Sequence, residues 1–91
     1  MRYEWDENKR IWTLLKHDVD FIDAEKFQWN SAKVTIDDRH TYNEERYVAI
    51  GFIEDRLHVM AFTLRDGSIR IISLRKANKR EVDNYEENID R

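Results

Sequence analysis

The chain of 91 residues has no cysteine, no proline and only two glycines. Without cysteine it can form neither a disulfide framework nor a thiolate metal site, and no cysteine nucleophile is available for catalysis; this composition fits a reducing cytoplasm. Without proline, and with so little glycine, the sequence contains no linker, repeat or low-complexity segment. We therefore expect one domain spanning residues 1–91.

Long apolar runs are also missing. The first ten residues, MRYEWDENKR, carry no apolar run behind the basic residue. No stretch approaches the roughly 18 apolar residues of a membrane span. Carboxylates are nowhere clustered with the spacing of a cation cage. The sequence therefore predicts no secretion, no membrane insertion, no bound metal and no cofactor, and it predicts a cytoplasmic location.

The net charge argues against a nucleic-acid partner, because 16 basic and 19 acidic residues leave a formal charge of −3. The distribution is uneven, however. Between Arg65 and Arg80 the one acidic residue is Asp66, whereas six residues are basic: Arg65, Arg70, Arg75, Lys76, Lys79 and Arg80. This segment is the part of the chain best suited to contact phosphates.

The N-terminal part of the chain predicts a short strand and a helix. An edge strand is expected over Arg2–Trp5, followed by a helix over Glu7–His17 that Asp6 can cap. Apolar residues at positions i, i+3 and i+4 are expected to form its buried stripe: Ile11, Leu14 and Leu15. The opposite face would carry Lys9, Thr13 and Lys16.

The rest of the chain predicts a second short helix, a sheet and a final helix. Asp20 can cap the second helix, whose apolar residues are Phe21, Ala24 and Phe27. Strands are expected over Lys33–Ile36, Tyr47–Ile53, Leu57–Thr63 and Ser68–Leu74, with a polar loop over Asp37–Glu45 and a hairpin turn at Asp66-Gly67. Asn78 and Glu81 have the spacing of a capping box before a helix with an apolar face of Val82, Tyr85 and Ile89. The predicted fold class is α+β, with N-terminal helices and a C-terminal helix packed on an antiparallel β-sheet.

Three segments of the chain, spread from Trp5 to Tyr85, carry motifs of one pattern. They are Trp5-Asp6-x-x-Lys9 continuing to Lys16-His17-x-Val19-x-Phe21-x-x-Ala24; Asp38-Arg39-x-x-Tyr42-x-x-Glu45-Arg46-x-x-x-Ile50-Gly51; and Thr63-x-Arg65-x-Gly67 leading to Arg70-Ile71-Ile72-Ser73-x-Arg75-x-Ala77-x-x-x-Glu81-x-x-x-Tyr85. In their order and spacing these segments resemble the BrnT family of ribonuclease toxins. Two positions depart from the family pattern: Thr13 stands where the family usually has Asn, and Asp18 where it has Gly. If that Gly has a positive φ, Asp is among the better substitutes but still carries a cost.

The resemblance implies a RelE-like fold and a toxin that cleaves RNA endonucleolytically. It also implies a BrnA-type antitoxin that is co-produced with the toxin and neutralises it. The antitoxin would bind DNA through a ribbon-helix-helix portion and repress their shared operon, so the toxin would contact DNA only indirectly.

Metal-independent cleavage of RNA begins with attack of a ribose 2′-hydroxyl on the adjacent phosphate. It requires a proton acceptor, a proton donor and cations facing the developing charge. The catalytic candidates are His17 and Glu45 for proton transfer and Arg46, Arg70 and Arg75 for binding phosphate oxygens. The candidates for RNA binding are Lys16, Arg39, Lys76, Lys79 and Arg80, for which a solvated surface position is the alternative interpretation.

The histidines and tryptophans each have an alternative interpretation. His17, at the C-terminal end of the first helix, suits either catalysis or interaction with the helix dipole. His40, in the polar loop, is either a proton carrier or a solvated side chain. His58, inside an apolar strand, is interpreted as a core or interface residue. Three aromatic residues suit core packing, base stacking or antitoxin binding: Trp5, Trp12 and Trp29.

Alternation along strands limits which candidates can act together. Glu45 and Arg46 point to opposite faces, so at most one of them faces a given site. Arg70 and Arg75 also alternate, and they reach one site only if their strand twists, bulges or ends between them. Arg70, within an apolar strand, favours an anionic partner.

Three other functions stay open at this point. The first is a family member that has lost catalysis and acts as a partner-binding or co-repressor module, for which Thr13 and Asp18 are the sequence hints. The second is a nucleic-acid-binding domain without chemistry, which predicts steep salt dependence and no cleavage products. The third is a metal-dependent nuclease, which predicts sensitivity to chelators.

Overall fold

A computed structural model describes residues 1–39 and 43–89. Across these residues the chain forms five strands: β1 Tyr3–Trp5, β2 Lys33–Asp37, β3 Arg46–Ile53, β4 Arg56–Arg65 and β5 Ser68–Lys76. The same residues form two α-helices, α1 Glu7–His17 and α2 Lys79–Ile89, and two short 3-10 helices, Phe21–Lys26 and Trp29–Ser31. This arrangement confirms the predicted α+β class. No helix in the described ranges is long and apolar enough to cross a membrane.

The strands form one sheet in the order β1-β5-β4-β3-β2. Neighbours from β2 to β5 are antiparallel, as predicted, but β1 lies parallel to β5, with Tyr3 opposite Ile69 and Trp5 opposite Ile71. The sheet is therefore mixed and not antiparallel throughout. Short connections impose antiparallel pairing on β3, β4 and β5. In contrast, no local turn fixes the direction of β1, which lies at the other end of the sequence from its partner.

The segment after α1 forms the predicted second short helix, which winds as a 3-10 helix over Phe21–Lys26. Its Asp20 cap is in place, since the carboxylate accepts a hydrogen bond of 3.1 Å from the N–H of Ile22. Phe21, Ala24 and Phe27 recur every three residues, and a helix with three residues per turn directs such residues to one side. All three are buried in the same cluster of the core.

Two apolar clusters cover the two faces of the sheet. On one face, here called the core face, the 3-10 segment packs against strand residues that include Met60, Phe62, Ile71 and Leu74. On the other face, here called the α2 face, Val82 and Tyr85 of α2 pack with Phe52, Leu57 and Val59. The Tyr85 hydroxyl donates a hydrogen bond of 2.7 Å to the carbonyl oxygen of Ser31, which fixes α2 to the rest of the chain.

α1 has the predicted ends but a different buried face. Thr13, which was expected on the polar side, is its buried residue, with 8% of its surface exposed. The predicted apolar stripe is exposed, at 43% for Ile11, 37% for Leu14 and 80% for Leu15. That prediction was wrong. An apolar stripe shows that a helix has a face suited to burial, but it does not show that this face packs on the chain's own sheet. Here the Thr13 side of the helix faces β5.

Asp18 ends α1 in the left-handed region, with φ 56° and ψ 39°. Its N–H donates a hydrogen bond of 3.0 Å to the carbonyl oxygen of Leu14. Glycine is preferred in this geometry because it has no Cβ to clash with the backbone. The positive φ expected at this position is therefore present. Because the residue is Asp and not Gly, the conformation strains the backbone and lowers the stability of the fold.

Two local predictions are confirmed. Asp66 and Gly67 have φ values of 52° and 79° and form the tight turn between β4 and β5, as a two-residue hairpin loop requires. Asn78 and Glu81 form a capping box, in which the Glu81 N–H donates to the Asn78 side chain at 2.8 Å and the Asn78 N–H donates to the Glu81 carboxylate at 2.9 Å. The box starts α2.

His58 is buried, with 7% of its surface exposed. Of its two interpretations, core residue or interface residue, the structure supports the first. Its Nδ1 lies 2.8 Å from the carbonyl oxygen of Arg56, so this nitrogen carries the proton. Burial lowers the pKa of His58, because the charged imidazolium loses its hydration.

Replacing Asp18 by glycine is expected to raise the free energy of unfolding by about 0.5–1 kcal/mol, because glycine relieves the backbone strain and removes an anion from the helix C-terminus. Urea denaturation followed by tryptophan fluorescence measures the change. Glu87→Gly, inside α2, is the control and should destabilise the protein, since a helix-interior glycine costs stability. If Asp18→Gly lowered the free energy of unfolding, the conclusion that Asp18 strains the backbone would be contradicted.

Acidification from about pH 7.5 to about pH 5.5 is expected to lower the free energy of unfolding through His58. The pKa of His58 in the folded state lies below its ordinary value, so the unfolded state binds the proton first as the pH falls. Neutral His58 makes its full contribution to stability at pH values above the pKa that His58 has in the unfolded state. This contribution is lost as the pH falls through that pKa. A His58→Gln variant should lose less stability over this range than the wild type. His17→Gln, which removes an exposed histidine, is the control; equal losses in wild type and His58→Gln would contradict the prediction.

Candidate active site

A β-bulge in β5 brings two of the predicted arginines onto one face of the sheet. Arg70 lies opposite Thr63 of β4 and Arg75 lies opposite Val59. These partners are four residues apart in one strand and share the α2 face. Between them the register shifts, because β5 contains one residue more than β4 over this interval. The bulge therefore meets the condition under which Arg70 and Arg75 can reach one site.

Arg46 joins the same face, whereas Glu45 does not. Arg46 lies opposite Thr63 from the β3 side. The Glu45 carboxylate accepts a hydrogen bond of 2.7 Å from the Tyr47 hydroxyl, and the Tyr47 ring stacks on Phe62 of the core face. This bond raises the pKa of Tyr47, because loss of its proton would leave two anions in contact. Glu45 and Arg46 therefore diverge, as alternation predicted.

A cavity of about 450 Å³ opens on the α2 face, between β2, β5 and the start of α2. Its floor is apolar and includes Val48, Ile50, Val59 and Ala61. Its polar rim consists of Thr35, Asp37, Asp38, Arg39, Ser73, Arg75 and Glu81. Of the predicted site residues, all of which the structure describes, Arg39 and Arg75 line this cavity.

Arg75 and Glu81 form an ion pair with two hydrogen bonds at the edge of the cavity. Nη1 of Arg75 donates to Oε1 of Glu81 at 2.7 Å, and Nη2 donates to Oε2 at 2.8 Å. Nη1 also donates to the carbonyl oxygen of Lys76 at 3.3 Å. The pair lowers the pKa of Glu81 and raises that of Arg75, since each charge stabilises the other. Both groups are therefore charged at neutral pH.

Two other candidate arginines, Arg70 on the same face and Arg39 at the cavity rim, also have carboxylate partners. Nη1 of Arg70 donates to Oε1 of Glu4 at 3.3 Å, across the pair formed by β1 and β5. Arg39 donates two hydrogen bonds to Asp37, of 2.9 and 3.0 Å. The carboxylates hold the guanidinium groups in defined places on one face, where they can bind an anion such as a phosphate.

His17 lies outside the cavity, exposed at the end of α1. Its ring packs edge-on against Trp12, with 5.4 Å between the ring centroids. Trp12 is 56% exposed and lines a second depression, of about 350 Å³. Ser73 lines both the cavity and this depression, so the two adjoin. His40, and Tyr42 of the family pattern, lie outside the described residues.

The remaining RNA-binding candidates are exposed, and none of the four lines the cavity within the described part of the chain. Lys16 lies near the end of α1, Lys76 ends β5, and Lys79 and Arg80 belong to the first turn of α2. Lys79 forms an ion pair of 3.1 Å with Asp83 one helical turn away. The solvated interpretation and the RNA-binding interpretation both fit these positions.

Sequence reasoning missed Asp37 and Ser73 and gave Glu81 only a capping role. Asp37, expected in a loop, ends β2 opposite Arg46. Ser73 reaches the α2 face only because of the bulge, for which the sequence carries no clear signal. Glu81 follows Arg75 across a short strand-to-helix connection, and this proximity could have indicated an ion pair. Among residues 1–39 and 43–89, no three His, Cys, Asp or Glu side chains are grouped as a metal site requires.

Comparison with known proteins confirms the resemblance found in the sequence. A family model described as "Ribonuclease toxin, BrnT, of type II toxin-antitoxin system" matches residues 5–81, which include strands β2 to β5 and every candidate site residue. A search of curated proteins finds no match. Such a family has RNA as its target and an antitoxin as its partner. Since the match covers most of the sequence, this chain belongs to the BrnT family of ribonuclease toxins of type II toxin-antitoxin systems.

Proposed function

We propose that this toxin cleaves RNA endonucleolytically and without a metal ion, in the cavity of the α2 face. The observation that carries the proposal is the bulge of β5, which turns Arg70 and Arg75 to one face and leaves Arg75 at the cavity rim. Guanidinium groups suit this role because they bind two phosphate oxygens at once and stay charged. Arg46, on the same face, supplies a third cation.

The reaction would begin with attack of a ribose 2′-hydroxyl on the adjacent phosphorus. The resulting five-coordinate phosphorane carries more negative charge on its oxygens than the starting phosphate does. Arg75 at the rim, with Arg70 and Arg46 on the same face, stabilises that charge. The 2′-hydroxyl gives up its proton as it attacks and the departing 5′-oxygen takes one up, which leaves a 2′,3′-cyclic phosphate on one fragment and a 5′-hydroxyl on the other.

For proton transfer we favour His17 over Glu45. The Glu45 carboxylate is bound to Tyr47, whose ring packs on the core face. His17 contacts Trp12, which lines the depression that adjoins the cavity at Ser73. RNA that extends from the cavity along α1 would pass this histidine, and an imidazole can accept or donate a proton near neutral pH.

The exposed basic residues would bind the rest of the RNA backbone. Arg39 lines the cavity itself. Lys16, Lys76, Lys79 and Arg80 would contact phosphates on either side of the cleaved one, and their contribution should weaken as salt concentration rises.

The partner is proposed to be a BrnA-type antitoxin whose ribbon-helix-helix portion binds DNA, so that the toxin contacts DNA only indirectly. The exposed stripe of α1 supports an apolar partner surface, since it presents Ile11, Trp12, Leu14 and Leu15. A half-exposed tryptophan such as Trp12 is a favourable anchor for a protein interface. Cleavage of cellular RNA would take place in the cytoplasm.

The proposal predicts that Arg75→Ala lowers the rate of RNA cleavage by roughly 100- to 1,000-fold, because it removes a cation that stabilises transition-state charge. The purified toxin without antitoxin is incubated with total cellular RNA and a chelator, and fragment ends are analysed. Wild type should produce 2′,3′-cyclic phosphate ends despite the chelator.

Arg56→Ala is the matched control, since it removes an exposed arginine at the start of β4, away from the cavity. It should cleave as wild type does, and circular dichroism should show that both variants are folded. Loss of wild-type cleavage in the chelator would contradict metal independence. Intact RNA from folded wild type would favour a ribosome-dependent toxin or a catalytically silent, antitoxin-binding module.

A further inference from the structure

The Arg75 guanidinium uses only part of its hydrogen-bonding capacity within the described structure. It carries five N–H groups. Two of them bind Glu81 and one reaches the carbonyl oxygen of Lys76. The remaining two, on Nε and Nη2, lie along the neighbouring edge of the guanidinium plane. That edge forms a second fork of parallel donors, which matches two oxygens of a phosphate.

Glu81 is itself held firmly. Its Oε1 accepts the N–H of Asn78 at 2.9 Å in the capping box, so the carboxylate is tied to the first turn of α2. α2 in turn is docked through Tyr85, which is 3% exposed and bound to Ser31. The Glu81 side chain is 23% exposed, whereas that of Arg75 is 48% exposed. The carboxylate is therefore the fixed member of the pair and the arginine the one whose position it determines.

We propose that Glu81 is a positioning residue of the RNA-cleavage site. Its carboxylate binds the Nη1–Nη2 edge of the Arg75 guanidinium, so that the Nε–Nη2 edge is placed to bind the phosphate being cleaved. This inference rests on the proposed function of the cavity. Glu81 does not have to be displaced by RNA, because the carboxylate and the phosphate bind different edges of the same planar group. Both Arg75 and Glu81 line the cavity, which leaves the phosphate room beside them.

The substitution Glu81→Gln tests this role with little change in shape. A glutamine oxygen can still accept the Asn78 N–H, but its amide group cannot accept the second hydrogen bond from Arg75. We expect kcat/KM for RNA cleavage to fall about 10- to 100-fold, with a lower kcat and a higher KM, because a misplaced Arg75 loses contacts with the phosphate both in bound RNA and in the transition state. Glu86→Gln, on the exposed side of α2, is the matched control and should cleave like wild type.

A double-mutant cycle separates positioning from a merely structural role. If Glu81 acts through Arg75, then Glu81→Gln adds no further loss to Arg75→Ala. Losses that multiply in the double variant would overturn the inference, since they show that Glu81 acts independently of Arg75. Unchanged or faster cleavage by Glu81→Gln would also overturn it, the faster rate indicating a carboxylate that competes with RNA.

A measurement without catalysis distinguishes failure of this inference from failure of the proposed function. In the NMR spectrum of the unliganded protein, the Arg75 Nε–H signal should be sharp in wild type and Glu86→Gln and broadened in Glu81→Gln. An RNA oligonucleotide with 2′-O-methyl groups, which cannot be cleaved, should bind Glu81→Gln more weakly. If wild type does not cleave RNA but these changes occur, the proposed cleavage fails, and Glu81 is shown to position Arg75 for binding a phosphate. An unchanged Arg75 signal or unchanged binding overturns the positioning role.

Discussion

The extra residue of β5 is the constraint on which the site depends. Side chains alternate along a strand, so Arg70 and Arg75, five positions apart, would face opposite sides of a regular sheet. In the paired strands Ala61 lies opposite Ser73 and Phe62 opposite Ile71, which places Ile72 in the bulge. The bulge also meets α1, because Ile72 and Ser73 line the depression beside Trp12. One inserted residue thus aligns the arginines and joins the cavity to the helix that carries His17.

Unequal coverage of the two faces creates the space in which those arginines lie. The core face is filled by the 3-10 segment, whose Phe21 and Ala24 are almost completely buried. On the α2 face, Val82 and Tyr85 cover one end of the sheet, and the cavity opens over the other end. Its floor is apolar, so the charges on its rim act on a bound phosphate through a medium less polar than water. The proposed cleavage therefore requires that the short helix α2 leave part of this face of the sheet uncovered.

Features that depend on neighbouring residues could be predicted from the sequence, and features that depend on distant pairing could not. The Asp66-Gly67 turn and the Asn78–Glu81 box follow from the conformations that these residues favour. The parallel direction of β1, the exposed stripe of α1 and the bulge are set by contacts between distant segments. For the candidate site, the sequence proposed Arg70 and Arg75, but their common face and the carboxylate partner of each required the three-dimensional structure.

The carboxylates beside the arginines show how the proposed phosphate site is compatible with a formal charge of −3. The charge of Glu81 cancels that of Arg75 in the net charge of the chain. Its carboxylate nevertheless binds only one edge of the Arg75 guanidinium, which has five N–H donors. Phosphate binding depends on donors that point at its oxygens more than on the charge summed over the chain. A paired arginine also gives up less side-chain entropy when it binds a phosphate than a mobile one does, because its partner has already ordered it. The negative net charge of the sequence therefore does not argue against the RNA site proposed on this face.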